Sequence, residues 1–132
     1  MKGLVALLVL VTFVFLTGVV GAEANSVSIQ KYIDKKYSGA ELEKYSYYNA
    51  IYLNVVGKYE KSLELLLKIK EKYQYSKNMD NYDYYIADNY EKEMKTTQAR
   101  DIYKQFLVDY PESARLQKVK EKLNALQFLK EK

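Results

Sequence analysis

The 132-residue chain has no cysteine, no histidine and no tryptophan, and it has one proline and five glycines. Without cysteine there is no disulfide framework, no thiolate zinc site, no cysteine nucleophile and no lipid-modified N-terminal cysteine. Without histidine there is no serine–histidine relay and no imidazole ligand. After residue 24 the only glycines are Gly39 and Gly57, so no glycine-rich loop is available to cradle a phosphate. Glu60 with Glu64, and Asp88 with Glu91, share helix faces, but a glycosidase-like pair needs two carboxyls held across a cleft. Asp80, Asp83 and Asp88 lack the spacing, the sharp-turn glycine and the closing glutamate of a calcium loop. They read as solvated, and as compensation for the dipole at a helix start. No motif frames a serine–lysine dyad. The expectation is a protein that is not an enzyme, with no cofactor and no metal.

Charge is also mixed. The chain carries 21 Lys+Arg against 17 Asp+Glu, net +4, with none of the dense basic stripe of a nucleic-acid binder. It is unevenly placed: residues 80–111 are net −3, between basic segments 25–79 at +4 and 112–132 at +3. An acidic middle between basic ends can pair within the fold or orient a partner.

Residues 1–24 read as a targeting segment. Lys2 gives a positive start, Leu4 to Val20 is uncharged, and Ala22-Glu23-Ala24 has small residues where a signal peptidase reads. Cleavage is placed before Asn25, which makes the protein exported, periplasmic or secreted. The alternative is an uncleaved N-terminal anchor and membrane association through residues 1–24. Cleavage leaves 108 residues, still net +4, with all 15 tyrosines among them. That length suits one domain with a real core.

The remaining chain is rich in Lys, Glu, Leu, Ala and Gln, all good helix formers, and shows no strand alternation. It also repeats. Residues 44–76 laid over 81–113 match without a gap at an offset of 37, with Tyr45, Tyr47, Tyr48, Ala50, Lys58, Tyr73 and Ser76 falling on Tyr82, Tyr84, Tyr85, Ala87, Lys95, Tyr110 and Ser113. The punctuation predicts two helices per copy. The first copy has helix A over 40–56, with a Ser38–Glu41 capping box and a left-handed Gly57, and helix B over 59–73. The second has helices over 81–93 and 98–109, stopped by Pro111. A helix over 113–129 carries Leu116, Val119, Leu123 and Leu126 on one stripe. One more short helix is expected in 25–39, from Val27, Ile29, Tyr32 and Ile33. Ala50, Ala87, Ser62 and Ala99 are placed where A and B helices cross closely. Leu53, Leu66, Ile69, Ile86, Tyr90, Tyr103 and Phe106 fill the core.

The turn Gly57-Lys58-Tyr59, the small residues in both helices and the endings Tyr73-Gln74-Tyr75-Ser76 and Tyr110-Pro111-Glu112-Ser113 resemble the tetratricopeptide repeat family. The endings are similar to those of exported bacterial repeats of the outer-membrane assembly lipoprotein and Tol-Pal-associated coordinator type. The resemblance covers residues 40–113, with 114–129 as a capping helix. Met94 stands at the turn glycine of the second copy, Asn49 stands at a usual leucine, and the period is 37 against about 34 in the family.

The resemblance implies an all-α, tetratricopeptide-like helical repeat (an α-α superhelix) over residues 40–132, with units 40–76 and 77–113 and a capping helix, preceded by the short flanking helix of 25–39. It implies binding without chemistry, as a scaffold or adaptor for a protein or peptide of the bacterial cell envelope. In stacked repeats the face of helix A turned away from helix B lines a concave surface. That face holds Tyr47, Ile51 and Asn54, then Tyr84, Asp88 and Glu91, bordered by Tyr48 and Tyr85. Tyrosine offers contact area at low entropy cost, and the acidic residues would suit a partner carrying Lys or Arg. Tyr73, Tyr90, Tyr103 and Tyr110 are expected to be core or half-buried. The alternative is a membrane-tethered or self-associating structural module, a homodimer in the simplest case, using the tyrosine face as its interface.

Overall fold

A computed structural model describes residues 21–128; the apolar run of the targeting segment lies outside them. The described residues form six α-helices and no strand. They are α1 (Ala22–Lys36), α2 (Gly39–Val55), α3 (Tyr59–Lys72), α4 (Met79–Lys92), α5 (Thr96–Asp109) and α6 (Leu116–Phe128). None of these helices is long and apolar enough to cross a membrane. The chain divides into two compact units at Lys58/Tyr59, inside the first copy of the 37-residue pattern. One contains α1 and α2, the other α3 to α6.

In the first unit α1 packs on α2. Of the apolar residues that suggested this helix, Ile33 is buried, together with Ala22 and Ser26, while Val27, Ile29 and Tyr32 are exposed. The reason lies on α2. Asn49, at the position of a usual repeat leucine, is buried, and a buried carboxamide must be hydrogen-bonded. Its Oδ1 accepts from Ser26 Oγ at 2.9 Å, and its Nδ2 donates to the Ser26 carbonyl at 3.0 Å and to Gln30 Oε1 at 3.1 Å. Gln30 Nε2 donates on to Ser46 Oγ at 2.8 Å. Polar Ser26 and Gln30 of α1 therefore face α2, and of its larger apolar residues Val27, Ile29, Tyr32 and Ile33 only Ile33 is buried.

Ser38 is the extended residue before α2, as the capping pattern predicts, but its side chain makes no cap bond. At the other end Gly57 takes φ 81°. The Gly57 N–H donates to the Asn54 carbonyl at 3.1 Å and the Lys58 N–H to the Leu53 carbonyl at 2.8 Å. That pair closes a Schellman turn. Met94 repeats it 37 residues later with φ 60°: its N–H reaches the Glu91 carbonyl at 3.0 Å, and that of Lys95 the Tyr90 carbonyl at 2.9 Å.

In the second unit each helix packs on the next, from α3 through α6. Ala87 of α4 and Ala99 of α5 are fully buried in one cluster with Tyr84, Tyr103, Phe106, Val119, Leu123 and Leu126. These alanines let the two helices approach closely. Ser62 of α3 is also buried, and its hydroxyl accepts from Asn89 Nδ2 of α4 at 2.9 Å. The Ser76 and Ser113 endings share a local pattern. Each serine N–H bonds the carbonyl of the tyrosine three residues earlier, and each hydroxyl accepts from the N–H two residues later.

Candidate functional site

The eight residues expected on one open face divide by copy. In the second copy the face is already occupied. Tyr84 is 3% exposed and belongs to the core, and Asp88 is likewise buried; Tyr85 and Glu91 are half-buried. The occupant is the chain's own C-terminal segment. The Arg115 guanidinium lies 4.5 Å from the ring centre of Tyr84 and 5.0 Å from that of Tyr85, and its Nε donates to Asn81 Oδ1 at 2.8 Å. Lys118 sits 5.8 Å from the Tyr84 ring. Lys122 bridges the two carboxylates, 2.8 Å from Asp88 and 2.9 Å from Glu91. Lys92 also pairs with Asp88, and the Tyr103 hydroxyl donates to Glu91 at 3.0 Å.

Tyr84 is thus not an open groove residue, because α6 lies over it. The rings also support one another: Tyr84 meets Tyr85 edge-on at 5.1 Å and Tyr103 at 6.5 Å. Exposed cation–π contacts are worth about 0.5–1 kcal/mol and more when desolvated. The residues missed by sequence reasoning are Arg115, Lys118 and Lys122. A signal for them exists in the chain, since steps of 3 and 4 put all three on one helical stripe, complementary to the acidic step Asp88–Glu91.

Electrostatics follow from this packing. Burial lowers the Lys122 pKa, but its bonds to Asp88 and Glu91 outweigh that and leave it above the ordinary lysine value. Burial, and then the neighbouring Glu91 charge, push the Tyr103 hydroxyl far above the ordinary tyrosine value. Tyr110 is raised by burial and by its bond to Asp83.

Asp80 and Asp83, expected to be solvated, are tied into the second unit instead. Asp83 is buried and accepts from Lys70 Nζ and, at 2.8 Å, from the Tyr110 hydroxyl. Asp80 accepts from Ser113 Oγ at 2.6 Å. Among the described residues no acidic group is arranged to hold a metal ion.

In the first copy Tyr48 is 53% exposed, Tyr47 and Ile51 are half-buried, and Asn54 is buried. Here a run of rings forms. Tyr37 and Tyr45 stack at 4.3 Å, Tyr45 meets Tyr48 edge-on at 6.3 Å, and Tyr47 lies 6.0 Å from Tyr48. Lys44 lies over Tyr45 and Tyr48, and Lys36 over Tyr32 and Tyr37. Such a surface presents flat, rigid contact area with hydroxyls at its edge. Sequence reasoning placed Tyr47 and Tyr48 on it but not Tyr32, Tyr37 and Tyr45. No family model, no curated protein and no solved structure matches the chain.

Proposed function

We propose that the protein is an exported, tetratricopeptide-like interaction module that binds a protein or peptide of the bacterial cell envelope through the tyrosine surface of its first unit. The observation that carries this reading is the continuous run Tyr37–Tyr45–Tyr48–Tyr47, with Tyr48 more than half exposed. Tyrosine-rich surfaces of this kind are favoured for recognition because two side-chain torsions fix a large contact area. The repeated Schellman turns, the paired buried alanines and the shared serine endings support the tetratricopeptide-like superhelix as the frame. The mechanism is equilibrium binding.

The test is capture from a cell-envelope extract by the full chain and by Tyr45→Ala with Tyr48→Ala. A specific partner should be retained by the first and lost by the second, with unchanged far-UV circular dichroism. Equal capture by both would overturn the surface assignment.

One observation favours a second reading, a membrane-tethered module. Ala22 is fully buried at the start of α1 and Glu23 pairs with Lys58 at 3.3 Å, so cleavage before Asn25 would remove packed residues. The intact mass of the protein isolated from its source decides between the two: a chain beginning at Asn25 supports export with cleavage, and retained residues 1–24 support the tether.

A further inference from the structure

The second unit has an open groove with no role in the packing described so far. It has a volume of about 400 Å³ and lies among α3, α4 and α5. Its apolar lining is Leu67 of α3, Ile86 and Tyr90 of α4, and Ile102 and Phe106 of α5. Leu67 is exposed, although removing a leucine side chain from water is worth about 1.5–3 kcal/mol. The lining also holds charge: Lys70 and Asp83 on α3 and α4, and two carboxylates on α5. Asp101 and Asp109 lie eight residues apart on α5, about 12 Å along the helix axis. Both are exposed, and neither has an ion-pair partner among the described residues; Asp109 accepts one hydrogen bond, from Gln105. The single basic group in the lining, Lys70, is already paired with Asp83.

The geometry points to a second binding site in this groove, for a peptide segment that places apolar side chains between two basic ones about 12 Å apart. In a helical partner that spacing is about eight residues, and in an extended one about four. Charge complementarity selects the basic partner: the uncompensated rim carboxylates attract Lys or Arg and repel acidic segments. The same unit shows the preference internally. Its own basic helix α6 carries Lys122 onto Asp88 and Glu91 while Val119, Leu123 and Leu126 enter the core. The groove belongs to α3–α5 of the second unit and the tyrosine surface to the first, so the two sites share no residue and can fail independently.

The experiment titrates the full chain with a synthetic capped helix of about 16 residues in an Ala/Gln background. The helix carries leucine at two positions one turn apart and lysines eight residues apart on either side. A control peptide has glutamate in place of both lysines. Fluorescence anisotropy should show binding of the lysine peptide and not of the control. Asp101→Asn with Asp109→Asn, both at exposed positions, should weaken binding about fivefold to tenfold. Leu67→Gln should weaken it as well, and Tyr45→Ala with Tyr48→Ala should leave it unchanged. No binding of the lysine peptide, equal binding of the control, or insensitivity to the Asp101/Asp109 change would each overturn the site.

Discussion

Tyr73 and Tyr110 occupy the same place in the two copies of the 37-residue pattern, yet their hydroxyls differ. That of Tyr110 donates to Asp83 at 2.8 Å, whereas that of Tyr73 is buried without a hydrogen-bond partner among the described residues. At the position equivalent to Asp83 the first copy has Ser46, not a carboxylate. Gly57 and Met94 make the opposite comparison: different residues, the same left-handed turn and the same pair of backbone bonds. Local geometry is thus conserved between the copies even where residues change. Side-chain partnering is not conserved even where residues are identical. The same holds for Tyr48 and Tyr85, the first exposed and the second beneath Arg115.

The sharpest break of that comparison is at Lys122, because the first copy has Ile51 and Asn54 where the second has Asp88 and Glu91. Lys122→Met leaves Asp88 buried with one cation fewer and should cost about 3 kcal/mol, read as a lower urea midpoint. An unchanged midpoint would mean that α6 is held by apolar packing alone. Next in size are the two tyrosines. Tyr110→Phe removes a satisfied bond to a buried carboxylate and should cost about 1–3 kcal/mol. Tyr73→Phe removes an unpaired buried hydroxyl and should be neutral or stabilising; if thermal melts show equal losses, the two endings are equivalent after all.

Smaller effects belong to the turns. Met94 is 82% exposed, so Met94→Gly forfeits little burial while relieving a left-handed residue. A gain of about 1 kcal/mol is expected, against a loss of about the same size for Gly57→Ala. The smallest effect is that of pH. The pKa values of Tyr103 and Lys122 are raised in the folded state, so their contributions are complete below the unfolded values near 10 and decline as pH rises beyond them. At about pH 10 the loss through Tyr103 is about 0.4 kcal/mol. Tyr103→Phe should flatten that alkaline decline in a pH series of urea melts, and an unchanged slope would assign it elsewhere.

Much of the helical framework was legible along the chain. The boundaries near Val56, Lys72, Lys92 and Asp109 fell within one or two residues of the observed ends, because caps, left-handed turns and a proline act on their immediate neighbours. The site was less legible. Tyr47 and Tyr84 have nearly the same surroundings in sequence, and nothing local states that a helix beginning 32 residues after Tyr84 will lie over it. Along α1 the exposure of Val27, Ile29 and Tyr32 depends on Asn49 of α2, whose bonds draw Ser26 and Gln30 inward.

The sequence by itself determined the helices, the 37-residue recurrence and the turns, since each depends on residues a few positions apart. Only the tertiary structure decided which tyrosines stay exposed and which carboxylates are paired. Burial and charge pairing depend on what arrives from distant segments: Arg115, Lys118 and Lys122 cover Tyr84, Asp88 and Glu91 and close one candidate surface, while Tyr48 stays exposed.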